Sequence, residues 1–276
     1  MIPAEFDYEV AESADHAVAL LGEHGEDAKL LAGGHSLLPL MKLRLAYPTT
    51  IVDIGRLRDL SYVRDEGDHI AVGALTCHED VHLDERLRSK CPLLAHTAGE
   101  IGDPQVRHRG TIGGSIAHGD PASDLPSVLL ALEGEFVIQG PNGSRTVAAR
   151  DFFRSVFEVD LSTQEMLTEV RVPKMQGRGW SYVKFAHRAQ DWATVGVAVV
   201  AGNGGGTRVA LTSMGATPLR ATAVEEALAS GADPATAAQS ADANTNPVTD
   251  PLGSAEYRRA MSKVLTRRAL EQALSR

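Results

Sequence analysis

Two glycine pairs, each set among apolar and hydroxyl-bearing residues, constrain this chain more than any other feature. One lies in Leu31-Ala32-Gly33-Gly34-His35-Ser36-Leu37 and the other in Thr111-Ile112-Gly113-Gly114-Ser115. Paired glycines accept positive φ and put no Cβ in the path of a ligand. Successive backbone N–H groups in such a turn can converge on an anion. Two turns of one texture, about 80 residues apart, suit two neighbouring phosphates and so point to a dinucleotide. Either turn alone would read as an ordinary tight turn. The familiar phosphate motifs are excluded, because neither turn carries the glycines of G-x-G-x-x-G or the lysine of G-x-x-x-x-G-K-S/T. A third cluster, Gly202-Asn203-Gly204-Gly205-Gly206, lies between apolar Val195–Ala201 and Val209–Leu211 and reads as a hairpin loop.

With 276 residues the chain is long enough for one large domain or two smaller ones. A formal net charge of −9 argues against broad nucleic-acid binding, which needs a basic surface to neutralise phosphates. No stretch approaches the ~20 apolar residues of a membrane span. Met1-Ile2-Pro3-Ala4-Glu5 lacks the basic start and apolar core of a signal peptide, so the cytoplasm is the expected location. Cys77 and Cys91 are too few for an iron–sulfur cluster, which takes four thiolates, and a reducing compartment disfavours a disulfide. Both read as small buried or half-buried side chains. Any one-electron relay must then come from another chain.

Ala14–Leu21 has the texture of a short helix, and Lys29–Ala32 and Ile51–Ile54 read as strands, giving a βαβ-like unit over about residues 1–60. Tyr62-Val63 and Ile70-Ala71-Val72 flank Asp65-Glu66-Gly67-Asp68, a hairpin signal. Thr76 and Glu79 have capping-box spacing. Asp124, with Pro126 behind it, can open a helix over Leu125–Leu132. Phe136–Ile138, Glu169–Val172, Tyr182–Phe185, Val195–Val200 and Val209–Leu211 are further strands. Thr222–Leu228 is a helix with its own T-x-x-E start, Ala232–Pro251 reads as a poorly packed connector, and Ser254–Leu274 is a closing helix. The simplest partition is a domain over 1–175, with subdomains 1–60 and 61–175, followed by a second over 176–276.

His78-Glu79-Asp80-Val81-His82 matches H-E-x-x-H, which puts two imidazoles on one helical face as zinc proteases do. The surrounding Asp84, Glu85, Arg86 and Arg88 instead suggest a solvated face, and no third ligand is recognisable, so zinc is rejected. Asp124 reads either as a helix cap or as an acceptor for ligand hydroxyls. His35 and His118 each follow a turn, as donors near a ligand or as surface residues. Lys184 is expected to be exposed unless its strand lines a cleft.

Leu31–Leu45 (LAGGHSLLPLMKLRL) and Gly110–Pro126 (GTIGGSIAHGDPASDLP) closely resemble the FAD-binding medium subunits of the molybdenum hydroxylases, which include aerobic carbon monoxide dehydrogenase and the xanthine dehydrogenases. The carbon-monoxide-dehydrogenase type is nearest, and the likeness runs from Phe6-Asp7-Tyr8 to Ala255-Glu256-Tyr257-Arg258. It implies an α+β fold of the vanillyl-alcohol-oxidase (PCMH) flavoprotein type. Two α/β subdomains would hold FAD, followed by a C-terminal domain of antiparallel sheet and helices. By matching position, Ala32–Ser36 and Thr111–Ser115 would hold the pyrophosphate, and Asp124 the ribityl or ribose hydroxyls. Lys184 and the backbone near Leu167 would lie by the isoalloxazine, and Trp192 would cover one face of it. Leu31, Leu37, Gly102, Ala117 and His118 complete the implied cofactor contacts. Such turns commonly end Gly-Gly-Asn, where this chain has Ser115. The resemblance also implies a 2Fe–2S small subunit and a molybdopterin large subunit in a dimer of heterotrimers, with no catalytic or metal-binding residue on this chain. A self-sufficient flavin oxidase or dehydrogenase of the same fold, or a flavin-sensing module, would share these motifs.

Overall fold

A computed structural model describes residues 2–202 and 206–276. The chain opens with β1 (Asp7–Val10), α1 (Ala14–His24), β2 (Ala28–Leu31), α2 (Leu37–Lys42) and β3 (Thr50–Asp53). The three strands form a parallel sheet in the order β1-β3-β2. Helix α1 starts where the Ser13 hydroxyl accepts the His16 N–H and ends at Gly25, φ 64°. It lays Ala17, Val18, Leu20 and Leu21 toward the core.

A hairpin follows, β4 (Val63–Asp65) and β5 (His69–Gly73), turning through Gly67 at φ 92°. Next come α3 (His78–Leu83), α4 (Glu85–Lys90), α5 (Pro92–Gly99), α6 (Pro104–Arg107), α7 (Ile112–His118) and α8 (Asp124–Leu132). The hairpin β6 (Glu135–Gly140) and β7 (Gly143–Ala148), α9 (Ala149–Phe152), and the ribbon β8 (Phe153–Ser155) and β9 (Glu158–Val159) lead into β10 (Met166–Pro173). Strand β10 takes the centre of an antiparallel sheet, β4-β5-β10-β6-β7, and its register with β6 shifts between Leu167 and Glu169.

The last third is an antiparallel meander of β11 (Trp180–Phe185), β12 (Val195–Val200), β13 (Arg208–Thr212) and β14 (Leu219–Arg220), then α10 (Thr222–Ala229), α11 (Pro234–Ala237) and α12 (Ala255–Leu274). Strand β12 is buried throughout, and its period of two sorts its side chains between two cores. Ala198 and Val200 join Leu125, Val128 and Leu129 of α8, while Val195, Val197 and Val199 join Leu265, Ala269 and Leu270 of α12. All nine residues of α8 are buried, so this helix is shared by the β10 sheet and the C-terminal sheet.

Three local expectations need correction. The Thr76 hydroxyl does not cap α3, because it bonds both the N–H and the carbonyl of Tyr62, each at 3.0 Å, and Cys77 takes the cap position. Thr222 lies inside α10, whose cap is Ala221, and Glu225 bonds the Val209 N–H and Arg220 instead. The supposed connector is packed only in part: Ala237, Ala238 and Ala241 are wholly buried, because a methyl side chain lets this short helical segment lie close against its neighbours, while residues 248–251 are exposed. The glycine cluster at 202–206 falls partly outside the described residues, though β12 and β13 on either side do pair antiparallel. Both cysteines are free thiols, Cys91 buried and Cys77 half-buried.

Candidate functional site

The first glycine turn leaves the carboxyl end of β2 and enters α2, the end of a parallel sheet where ligands commonly bind. The backbone N–H groups of Gly33, Gly34, His35, Ser36 and Leu37 have no acceptor among the described residues. Gly34 sits at φ 77°, which a side chain would strain. Consecutive unpaired amides form a concavity suited to an anion. Gly33 is glycine for another reason. A Cβ there would lie 2.0 Å from the Arg109 carbonyl oxygen and 2.9 Å from Gly110 Cα, so the two turns meet backbone to backbone.

The second turn is built differently. The Ile112 N–H donates to Thr76 O (3.0 Å), Gly113 to Ala74 O (2.8 Å), Gly114 to the Thr111 hydroxyl (3.1 Å) and Ser115 to Thr111 O (3.0 Å). Gly113 is pressed on Ala74, where an added Cβ would meet the alanine methyl at 2.5 Å. The expectation that both turns offer free amides is corrected here, because protein acceptors already take these donors. This turn presents the exposed surface of Gly114 and the half-buried Ser115. Beside it Arg109 is exposed and forms no ion pair among the described residues.

Asp124 begins α8 without capping it. Its Oδ2 lies 2.9 Å from Lys184 Nζ, and its Oδ1 accepts the Tyr182 hydroxyl at 2.5 Å. Lys184 is not exposed as expected: its side chain is 7% accessible, and Nζ also donates to the Glu100 carbonyl at 3.1 Å. Burial pushes the Asp124 carboxyl above the usual carboxylate range, with the Lys184 charge opposing. Burial and the adjacent Asp124 raise Tyr182 well above its ordinary value. The sequence marks Tyr182 only as the start of a strand, although its i, i+2 spacing puts it on the strand face of Lys184. No sequence signal marks the Glu100 carbonyl.

Trp192 is 63% exposed, so it is no core residue. The loop holding it is fastened at Ala193 O by the Ser213 hydroxyl (2.6 Å) and at Thr194 O by buried Arg258. The Ser213 N–H donates to Pro121 O at 2.9 Å, which ties this loop to the segment following Ala117 and His118. The half-buried His118 ring packs 4.9 Å from Phe157. Leu167 adjoins Thr168, whose carbonyl accepts the Ala74 N–H at 2.9 Å, and Ala74 in turn supports Gly113. Gly102, at φ 45°, lies on the loop that runs from Glu100 to Arg109. That loop connects the Lys184–Asp124 pair to the two turns.

Asp80, Glu85, Arg86 and Arg88 are exposed as expected of a solvated face, but the two imidazoles of α3 turn away from it. His78 is 4% exposed, and His82 Nδ1 lies 3.0 Å from Ala95 O.

A row of unpaired amides at a strand end fits a phosphate-bearing cofactor, and the buried cation–carboxylate pair is linked to it by a single loop. The fold joins a parallel α/β unit to antiparallel sheets, and its turns and buried pair mark it as a cofactor-binding chain of that class. Residues 4–175 match the family described as the FAD binding domain in molybdopterin dehydrogenase, and residues 180–273 match the CO dehydrogenase flavoprotein C-terminal domain. The chain is 45% identical to the carbon monoxide dehydrogenase medium chain of Hydrogenophaga pseudoflava over 100% of its own length and 99% of the relative's. The solved carbon monoxide dehydrogenase of that organism superposes with a TM-score of 0.96 at 46% identity, covering 100% and 99% of the two chains. The 6-hydroxypseudooxynicotine dehydrogenase complex subunit alpha of Paenarthrobacter nicotinovorans is 37% identical, over 100% and 97% of the chains. The protein belongs to the FAD-binding medium subunits of the molybdenum hydroxylases, and its cofactor is FAD.

Proposed function

We propose that this chain takes electrons from a 2Fe–2S small subunit and delivers them through FAD to an external acceptor. A molybdopterin large subunit would oxidise the substrate, in a dimer of heterotrimers located in the cytoplasm. The observation that carries the reading is likeness to a carbon monoxide dehydrogenase medium chain along the whole chain. FAD suits the post because it works in both one- and two-electron steps. The amides of Gly33–Leu37, with Leu31 and Ala32 beneath them, would take the pyrophosphate. Thr111, Gly113, Gly114 and Ser115 would shape its other side. Asp124 would receive cofactor hydroxyls. Lys184, Leu167 and Trp192 would border the isoalloxazine, with Gly102, Ala117 and His118 lining the remainder. We divide the chain into an FAD-binding domain over 1–175 and a C-terminal domain over 176–276. No helix among the described residues is long and apolar enough to cross a membrane.

The relatives' names span carbon monoxide and 6-hydroxypseudooxynicotine, so membership of the family does not fix the substrate. Mixing the FAD-loaded chain with its small and large partner subunits should give substrate-dependent flavin bleaching, and omitting either partner should abolish it. Turnover by the isolated chain would replace this reading with the self-sufficient oxidase.

A further inference from the structure

The H-E-x-x-H of α3 has no part in the function proposed above. In the structure the side chains of His78, Glu79 and His82 face α5 and the loop that leaves it, from Gly99 to Thr111. The His82 ring meets α5 where that loop begins: Nδ1 is 3.0 Å from Ala95 O, and a Cβ on Gly99, the last residue of α5, would lie 2.6 Å from the ring. Glu79 holds the middle, with Oε2 2.7 Å from Arg107 Nε, and Arg107 donates onward to Ile101 O at 3.3 Å. His78 holds the end. Its backbone N–H donates to Gly110 O at 2.9 Å, and its ring packs on the same residue, where a Cβ on Gly110 would lie 2.9 Å from Cδ2. Burial pushes the His78 imidazole down to about 4, so it is neutral near pH 7. His35 and Arg107 are the charged or titratable groups felt by it. Its Nδ1 is sealed without a partner among the described residues.

The loop so held has only one short helix of its own, α6. Yet both its ends terminate on the candidate site. Near its start the Glu100 carbonyl takes the Lys184 ammonium, and near its finish, two residues before Thr111, the Arg109 carbonyl abuts Gly33. A shift of this loop would therefore move Lys184 and the spacing of the two turns together.

We propose that His78, Glu79 and His82 form a three-point brace that sets the geometry of the FAD site through this loop, as positioning residues and not as metal ligands. The proposal rests on the assignment of the two turns to the cofactor phosphates.

The test titrates FAD into the apo chain, following flavin fluorescence, and records the apo chain's melting temperature for each variant. His78→Gln and Glu79→Gln should weaken FAD about tenfold, roughly 1.4 kcal/mol, with little change in apo melting. The exchange Glu79→Arg with Arg107→Glu should recover most of the affinity lost in Glu79→Arg alone. Asp80→Asn, exposed on the same helix, should change nothing. Lowered apo melting with unchanged FAD affinity would make the motif merely structural and overturn the proposal. So would stoichiometric zinc retained after dialysis against the metal. Gly114→Val separates the two layers: undiminished FAD affinity there would refute the turn assignment itself. Loss of affinity there, with none in the α3 variants, would refute the brace alone.

Discussion

At Gly33 the backbone of one turn touches the backbone of the next, so the smallest substitution is the most informative. Gly33→Ala puts a methyl 2.0 Å from the Arg109 carbonyl and must separate the turns. FAD content after purification should fall well below one per chain, which flavin absorbance reports directly. His78 gives a second expectation, in pH. Its folded-state value of about 4 lies below the ordinary ~6.5, so the unfolded chain binds the proton first. Stability is untouched by this group above pH ~6.5 and falls as pH drops toward 4, by up to ~3 kcal/mol, because only the unfolded chain takes the proton there. Denaturant titrations across that window should show wild type losing more stability than His78→Gln. At Lys184, substitution by Met leaves the Asp124 carboxylate buried against Tyr182 alone, at a cost of ~3–5 kcal/mol. The double variant with Asp124→Asn should cost less than Lys184→Met, and simple additivity in equilibrium unfolding would deny the coupling. Lys184 illustrates what a sequence withholds at this scale: its partner is 60 residues away, so nothing local announces that the charge is buried.

Among the elements, α8 bears on the most. Leu129→Ala should destabilise the protein by ~2–5 kcal/mol, because this side chain is wholly buried within the core shared by both sheets. Chemical unfolding monitored separately by flavin release and by far-ultraviolet dichroism should show both signals moving together. The strands were legible because their period of two and their turn residues are local signals, as at Asp65–Asp68 and in the β12 run Val195–Val200. Helix starts were less so. Thr76 and Thr222 have capping-box spacing, yet Thr76 spends its hydroxyl on Tyr62 and Thr222 sits one residue too late to cap. The alanines of 237–241 read as connector because alanine signals neither strand nor face, whereas its small size is what admits that segment to the core. The site was legible as two turns, but not as two different constructions. Whether an amide is free depends on residues such as Ala74 and Thr76, which approach from a separate strand end.

For the whole molecule, the chain's two family matches meet between residues 175 and 180, which invites the idea of two independent modules. The sharing of α8 argues otherwise. A gene cut at residue 175 would leave one fragment with a helix stripped on the side that meets Ala198, Val200 and Ala210. The same fragment would keep Asp124 buried beside an absent lysine. Residues 1–175 made alone should therefore aggregate or bind an apolar dye, and co-expression with 176–276 should return a soluble yellow complex. A soluble, flavin-loaded fragment would contradict this. Such a seam is visible in the gene and invisible to folding, so insertions and deletions that natural variation tolerates at ordinary domain linkers should be rare between β10 and β11.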